Sequence, residues 1–276
     1  MSNLSYMQKA TDRGQLQIHV TTERGFFPIK DASIRLSYTG NPTEIIEELS
    51  TDISGQTAAV ELPAPPLEYS MEPSEFQPYS EYTIQVNASG YRPINISGIS
   101  VLPDKTSIQN VRMETATVEN PLERNIVITA NTLYGNFPPK IPEDEIKPMT
   151  ESGEIVLSRV VIPEYVIVHD GPPSDSSAND YYVRYRDYIK NVASSEIYAT
   201  WPDAALRANI LAIMSFTLNR VYTEWYRNKG YDFTITSSTA FDHKFVYGRN
   251  IFSNISNIVD EMFNSYLSRP NVRQPI

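Results

Sequence analysis

The sequence predicts an α+β protein of two domains, in which an N-terminal β-sandwich precedes a helix-rich α+β domain. Three observations support this prediction. Short runs that alternate apolar and polar residues fill the chain up to residue 116, a stretch with four prolines at 136–154 has no periodicity, and helical stripes of apolar residues follow. A period of two residues indicates strands, and a period near 3.6 residues indicates helices.

The predicted sandwich covers residues 1–116. Its strand patterns are bounded by Gly, Pro, Asn and Asp, which supply the backbone conformations of tight turns. The run TEIIEEL at 43–49 fits a helical turn or a strand, and its place between two strand patterns favours the strand. Such closely spaced short strands indicate a small sandwich. The clearest patterns are GQLQIHV (14–20), ASIRLSY (32–38), TAAVEL (57–62), EYTIQVNA (81–88) and SIQNVRM (107–113).

A Pro-rich connector is predicted at 117–154, and the second domain at 155–276. Proline and charged residues without periodicity keep a chain extended, so the connector should run over the surface. Within it, NIVITANTLYG at 125–135 fits one further strand.

Helices dominate the second domain. The first ends near Glu196, and the next begins at a T-x-x-D capping box formed by Thr200 and Asp203 and ends at Gly230. A last amphipathic helix is predicted at 251–267. The first helix shows an apolar face at helical spacing, made by Tyr185, Tyr188, Ile189 and Val192.

Composition limits the partners and the compartment. The net charge of −10 and the pI near 4.9 disfavour nucleic acid and anionic lipid, because few cations are available to neutralise phosphates. The absence of cysteine excludes disulfides and thiolate metal sites. The N-terminus shows no apolar segment of a signal peptide, and no window of 18 apolar residues could span a bilayer. We therefore expect synthesis in the cytoplasm and no membrane span.

One acid stands out as a candidate for catalysis. Glu196 follows small residues and precedes two aromatic residues, Tyr198 and Trp201. These rings could partly desolvate the carboxyl group and favour its protonated form, which could then donate a proton to a leaving oxygen. The other interpretation is a solvated glutamate at a helix end. The residues alone favour that second interpretation.

Other polar clusters are weaker candidates. His169 and Asp170 are adjacent on a predicted strand, so their side chains would point to opposite faces. The FDHKF cluster at 241–245 fits either a functional site or a polar turn, with the turn favoured. Three scattered histidines and the absence of nucleotide-binding motifs predict neither a metal nor a cofactor.

In the stretch YRDYIKNVASSEIYATWPDAALRAN, the pair Ser195–Glu196 is followed after four residues by Trp201–Pro202, and the run Ala205–Ala208 comes two residues later. This stretch resembles the SpoIID/LytB family, whose members include stage II sporulation protein D, with spore cortex-lytic enzymes such as SleC among its relatives. In this family, the pattern S-E-x-x-x-x-W-P-x-x-A-L-[KR]-A marks the start of a long helix. The stretch YRDYIKNVASSEIYATWPDAALRAN fills it with Tyr188, Ile189, Val192, Ser195, Glu196, Trp201, Pro202, Ala205, Leu206, Arg207 and Ala208.

This resemblance implies a peptidoglycan lytic transglycosylase in which Glu196 acts as general acid and then as base. The segment 234–250, which ends in Tyr247 and Gly248, is similar to the family's following segment. Tyr198, Trp201, Asp242 and Tyr247 are accordingly the predicted substrate contacts. The implied partner is the glycan strand of peptidoglycan, and the implied location is the spore or its cortex, after expression in the mother cell.

The N-terminal part resembles the transthyretin-like or carboxypeptidase regulatory-like domain across residues 14–113. The pieces that support this are GQLQIHV, FPIKDASIRLSY, TDISGQ and PYSEYTIQVNASGYRPI. The resemblance implies a noncatalytic module.

Two functions therefore remain open. The first is a peptidoglycan-cleaving enzyme, and the second is a noncatalytic wall-binding or structural protein of a spore or phage tail. The family's domain continues beyond the last helix, so we expect this SpoIID-like domain to be incomplete at its C-terminus. An open half-domain would expose apolar surface and favour self-association or protein partners.

Overall fold

The computed structural model describes residues 12–73, 75–117, 122–131, 133, 138–140 and 156–276. The chain divides into two compact units. Unit 1 comprises Met1–Tyr134, Tyr198–Trp201 and Tyr247–Asn254, and unit 2 comprises Gly135–Ile197, Pro202–Val246 and Ile255–Ile276. Most of the predicted connector lies outside the described residues, and the domain boundaries at 116 and 154 stay predictions.

Unit 1 consists mainly of strands. They are β1 (Asp12–Thr22), β2 (Ser33–Tyr38), β3 (Asn41–Ser50), β4 (Val60–Ala64), β5 (Ser80–Asn87), β6 (Ile94–Val101), β7 (Thr106–Met113), β8 (Arg124–Val127) and β12 (Ile251–Phe252), with a short helix α1 (Glu68–Met71) after β4. One sheet has the order β3-β2-β5-β6-β8 and the other β12-β7-β1-β4. The pairs β6–β8 and β1–β7 are parallel, and the remaining pairs are antiparallel.

The core of unit 1 follows from the alternation in its strands. Along β1, Leu16, Ile18 and Val20 are fully buried, and the residues between them are more exposed. Burial of each such side chain contributes about 1.5–3 kcal/mol. The sheets are also linked by a buried hydrogen bond, because the Ser107 hydroxyl on β7 donates to the Ser100 carbonyl on β6 at 2.7 Å.

Unit 2 combines a small sheet with helices. Its elements are β9 (Tyr165–His169), β10 (Asp180–Arg184), β11 (Ile235–Thr236), α2 (Tyr185–Glu196), α3 (Asp203–Tyr222) and a 3₁₀ helix (Arg227–Lys229), and α4 (Ser253–Met262) contributes all but its first two residues. Strand β9 pairs antiparallel with β10 and parallel with β11. Helix α2 ends at Glu196 as predicted, and its predicted apolar face is buried.

The predicted capping box is wrong. Pro202 is the N-cap of α3, so Thr200 lies two positions before the cap and cannot reach the first turn of the helix. The Thr200 hydroxyl instead donates to the Ser70 hydroxyl at 2.8 Å. Asp203 forms an ion pair with Arg207 on the next helical turn, at 2.7 Å.

The predicted ends of two helices are also wrong. Helix α3 ends at Tyr222 rather than at Gly230, because Glu224 has a left-handed backbone (φ 46°) that an α-helix cannot continue through. Gly230 (φ 82°) ends the separate 3₁₀ helix. The last helix begins at Ser253 and ends at Met262, since Ile251 and Phe252 pair with β7 as a strand.

The predicted fold class is confirmed, with a β-rich N-terminal region and a helix-bearing C-terminal region. TEIIEEL lies within β3, and β8 provides the further strand predicted near residue 125. None of the helices in the described residues is both long and apolar enough to cross a bilayer.

Candidate active site

Glu196 is the last residue of α2, and its side chain is half-buried. Its Oε1 atom accepts a hydrogen bond from the main-chain N–H of Lys244 at 2.7 Å. The end of a helix carries partial negative charge, and this N–H offsets part of the repulsion that the carboxylate experiences there. Within the described residues it is the only hydrogen bond to the carboxyl group. One oxygen is therefore fixed, and Oε2 is left for another partner.

The segment that donates this N–H, residues 242–246, is held against α2 by further contacts. The Asn191 side chain donates to the Val246 carbonyl at 2.8 Å and accepts from the Val246 N–H at 3.0 Å. The Tyr188 hydroxyl lies 3.3 Å from Nδ1 of His243. Tyr188 and Asn191 are three residues apart and so share one face of the helix. That face places Lys244 next to Glu196.

Asp242 anchors the start of the same segment to α3. Its Oδ1 atom pairs with Nε of Arg220 at 2.7 Å, and its side chain is 0% exposed. Its Oδ2 atom accepts hydrogen bonds from the Tyr226 hydroxyl at 2.5 Å and from the Thr236 N–H and hydroxyl at 2.8 and 2.6 Å. A buried carboxylate is tolerable only when paired and hydrogen-bonded, as here. These partners make Asp242 a structural support of the 242–246 segment.

The histidine between these anchors is neutral at pH 7. Burial lowers the pKa of His243, although the charges of Glu196 and Asp242 oppose the shift. Burial also raises the pKa of Tyr188 well above its ordinary value, so its hydroxyl keeps its proton. A protonated hydroxyl facing a neutral imidazole gives a donor and an acceptor, which is consistent with the Tyr188–His243 contact.

One family model matches part of this chain. Residues 178–261 match the SpoIID family, described as stage II sporulation protein. The SpoIID-matched segment contains Glu196 with its partner Lys244, and the ion pair of Arg220 with Asp242. No curated protein matches the chain at a significant level.

Several solved structures are similar to part of the chain. The Bacillus anthracis TIE protein is 17% identical over 38% of this chain and 17% of its own (TM-score 0.27). The minor pilin GBS52 of Streptococcus agalactiae is 15% identical over 39% of this chain and 46% of its own (0.27). The 5-hydroxyisourate hydrolase of Klebsiella pneumoniae is 17% identical over 37% of this chain and 86% of its own (0.24). The chain thus spans less than half of the length of the first two proteins.

The predicted site residues fall into both compact units. Glu196 and Asp242 belong to unit 2, whereas Tyr198, Trp201 and Tyr247 belong to unit 1, although all five lie in the SpoIID-matched segment. In unit 1, Tyr198 meets Trp201 edge-on with ring centroids 6.1 Å apart. The Trp201 indole N–H donates to the Ser70 carbonyl, and the Tyr247 hydroxyl accepts from Arg124. Their roles as substrate contacts stay predictions.

Three residues of the site region were not singled out from the sequence, although Lys244 lies in the FDHKF cluster at 241–245. Lys244 acts through its main chain, which no residue pattern reveals. Asn191 and Arg220 left a weak signal, because each is a polar residue at a buried helical position. The described residues hold no group of three His, Cys, Asp or Glu side chains that could bind a metal ion.

Proposed function

We propose that this protein cleaves the MurNAc–GlcNAc bond of peptidoglycan in spore cortex or cell wall, as a lytic transglycosylase. The observation that carries the proposal is the setting of Glu196. It is half-buried at the end of α2, Lys244 fixes one of its oxygens, and it lies in a segment that matches a sporulation family. A carboxyl group with one fixed oxygen presents the other in a defined direction, which proton transfer requires.

The proposed reaction needs one carboxyl group. Protonated Glu196 gives its proton to the glycosidic oxygen, the bond from that oxygen to C1 of the muramic sugar breaks, and C1 gains oxocarbenium character. The 6-hydroxyl of the same sugar then attacks C1, and its proton passes to the Glu196 carboxylate. The products are a 1,6-anhydro end and a new free 4-hydroxyl. No water is consumed, and Glu196 ends the cycle protonated.

The test compares Glu196→Gln with the wild type. Glutamine keeps an acceptor oxygen for the Lys244 N–H but cannot donate an acidic proton, so it separates catalysis from local structure. Purified glycan strands without stem peptides are incubated with each protein, and 1,6-anhydro products are measured by mass spectrometry. We expect Glu196→Gln to lower the rate by about 10²–10⁴-fold.

Glu261→Gln is the matched control, because Glu261 is an exposed acid that pairs with Arg207. It should leave the rate unchanged. Equal product from wild type and Glu196→Gln would remove Glu196 from the mechanism. Products with reducing ends in place of anhydro ends would make the reaction a hydrolysis.

A second function, noncatalytic binding to the wall or a structural role, has one observation in its favour. The Lys244 contact also makes Glu196 a tie between α2 and the 242–246 segment. In that case Glu196→Ala would lower stability, Glu196→Gln would not, and neither wild type nor variant would release anhydro products. Retention on insoluble glycan without turnover would favour wall binding, and association with spore or tail proteins alone would favour a structural role.

A further inference from the structure

The β9–β10 hairpin of unit 2 has one face that carries exposed aromatic rings. Its register pairs Tyr165 with Arg184, Ile167 with Tyr182 and His169 with Asp180. These six side chains share a face, because alternate residues of a strand point the same way. The opposite face is apolar, with Val166 and Val168 fully buried. On the open face, Tyr182 is 72% exposed and Tyr165 is 41% exposed.

A concavity of about 140 Å³ adjoins this face. Four of the ten residues that line it are aromatic, and one of these, Tyr165, also belongs to the sheet face. The lining residues that matter here are Tyr165, Glu224, Trp225, Tyr226, Arg227 and Phe233.

Polar groups accompany the rings. Glu224 and Arg227 lie 3.6 Å apart at the concavity, and Arg227 is largely exposed. On the sheet face, Nδ1 of His169 contacts Asp180 at 2.8 Å, and the His169 ring stacks on Phe233 with centroids 4.5 Å apart. The Nε2 atom of His169 is buried, and among the described residues it has no hydrogen-bond partner.

We propose that this aromatic face and its concavity form a second, noncatalytic site for the sugar rings of a glycan. A pyranose ring has an apolar C–H face that packs on exposed aromatic rings, and its hydroxyls bond to carboxylate and guanidinium groups. The choice of an N-acetylhexosamine chain as the glycan rests on the proposed function. Neither Glu196 nor its partner Lys244 lines this site, but Arg220 and Tyr226, which hold Asp242, do. The variants that test binding are therefore placed at Tyr165 and Tyr182.

Two other ligand classes fit less well. Interfaces with proteins have centres depleted of charge, whereas Asp180 and Arg184 flank Tyr182 on this face. The net charge of −10 disfavours a polyanion such as nucleic acid.

The test uses Glu196→Gln as the background, so that no turnover occurs during binding. Chitotetraose, a soluble chain of four N-acetylglucosamines, is titrated by calorimetry, and insoluble glycan strands are used for pull-down. We expect the Tyr165→Ala/Tyr182→Ala double variant to weaken binding by about tenfold or more. Tyr182→Phe keeps the ring and should bind as the background protein does. Tyr266→Ala, at a residue that is 39% exposed and outside this face, should have no effect.

Each outcome separates this inference from the proposed function. If the wild type releases no anhydro products but chitotetraose binding depends on Tyr165 and Tyr182, the cleavage proposal fails alone. If the wild type cleaves glycan and the double variant binds chitotetraose unchanged, with an unaltered melting temperature, the second site is refuted. Absence of binding to both glycans, or tighter binding to heparin than to chitotetraose, would also overturn it.

Discussion

Arg220 and Asp242 form a buried ion pair, which is a costly arrangement for a protein to keep. Their side chains are 3% and 0% exposed, so both charges have lost their water. The remaining hydrogen-bonding capacity is met by protein groups, including the Phe241 carbonyl, which accepts from Arg220 at 3.0 Å. Such a pair adds little net stability, but removing one partner leaves the other charge uncompensated.

We therefore predict that Arg220→Met destabilises the protein by about 3–5 kcal/mol. The reason is the Asp242 carboxylate, which would stay buried without its cation. Guanidinium denaturation measures the change. Arg207→Met is the control on the same helix, since Arg207 forms only exposed pairs with Asp203 and Glu261, and its unfolding midpoint should hardly move. A small effect for both variants would contradict the buried-pair argument.

His243 should make stability depend on pH. Its pKa in the folded protein is lowered from the ordinary value of 6.5, so the unfolded chain binds more protons at mildly acidic pH. This contribution to stability is complete above pH 6.5 and is lost as the pH falls from there through the lowered pKa. The charged groups that influence the ring are Glu196, Asp242, Lys140 and Arg220.

The measurement is the free energy of unfolding between pH 7.5 and 5. We expect it to fall with pH in the wild type and to fall less in His243→Gln. The pKa of His19 is also lowered by burial, so His19→Gln serves as the second variant and should remove a separate part of the slope. A slope unchanged by His243→Gln would show that the ring is not held neutral by burial.

At the scale of elements, a helix and an irregular segment together define the candidate site. Helix α2 supplies Tyr188, Asn191 and Glu196, and the 242–246 segment meets them with one side chain, two main-chain N–H groups and one main-chain carbonyl. A loop held this way has its buried main-chain groups paired, which is the condition for keeping irregular backbone inside a protein. The position of Lys244 is therefore set by the helix as much as by the loop.

Another element, β6, approaches its neighbour closely at a glycine. Gly98 has φ +84°, and a Cβ atom there would collide with the Ile128 carbonyl oxygen. Gly90 has nearly the same φ, +83°, but nothing lies within 4 Å of the corresponding Cβ position. Substitution at Gly90 therefore introduces backbone strain alone, whereas substitution at Gly98 introduces the same strain and a steric clash.

We predict that Gly98→Ala lowers the melting temperature well beyond Gly90→Ala. Both variants carry the strain of a left-handed alanine, about 1–2 kcal/mol. Only Gly98→Ala also forces β6 away from the residue that follows β8. Thermal unfolding followed by circular dichroism gives the comparison. Equal shifts for the two variants would mean that the approach of β6 to Ile128 is not tight in solution.

For the whole molecule, the sequence predicts those strands and helices whose pattern is set by residues close together in the chain. Alternation in β1 and the apolar face of α2 identify those elements, because each pattern is complete within a few turns or pleats. The strand at Ile251 and Phe252 could not be found in this way. It is two residues long, and its partner β7 lies far earlier in the chain.

The candidate site shows the same division. Glu196 and its helix follow a local pattern, so the sequence finds them. The Lys244 N–H and the Arg220–Asp242 pair depend on contacts between segments 22 or more residues apart, which periodicity does not contain. Thr200 shows how a local pattern can mislead. The T-x-x-D motif is present, but Pro202 occupies the cap and the Thr200 hydroxyl bonds to a distant partner, Ser70.

Unit 1 takes part of its structure from the C-terminal half of the chain. The Asn250 side chain accepts from the Ser100 N–H and donates to the Ser100 carbonyl, both at 3.0 Å and both buried. Arg249 donates to the Thr129 carbonyl at 2.8 Å, and β12 pairs with β7 at the edge of its sheet. Asn250, Arg249 and β12 all lie outside residues 1–116, the range that the sequence predicts as the sandwich domain.

We predict that a fragment of residues 1–116 unfolds at a lower temperature than the same region of the intact chain. The fragment lacks β8 and β12, and it leaves the buried Ser100 N–H unpaired, at about 1–3 kcal/mol, whereas the Ser100 carbonyl keeps its hydrogen bond from Ser107. Calorimetry of both proteins measures the difference, and a hydrophobic dye should bind only the fragment. Asn250→Ala in the full chain should reproduce part of the loss. If the fragment melts cooperatively at the temperature of the intact chain, the sandwich is independent and the boundary at 116 is correct.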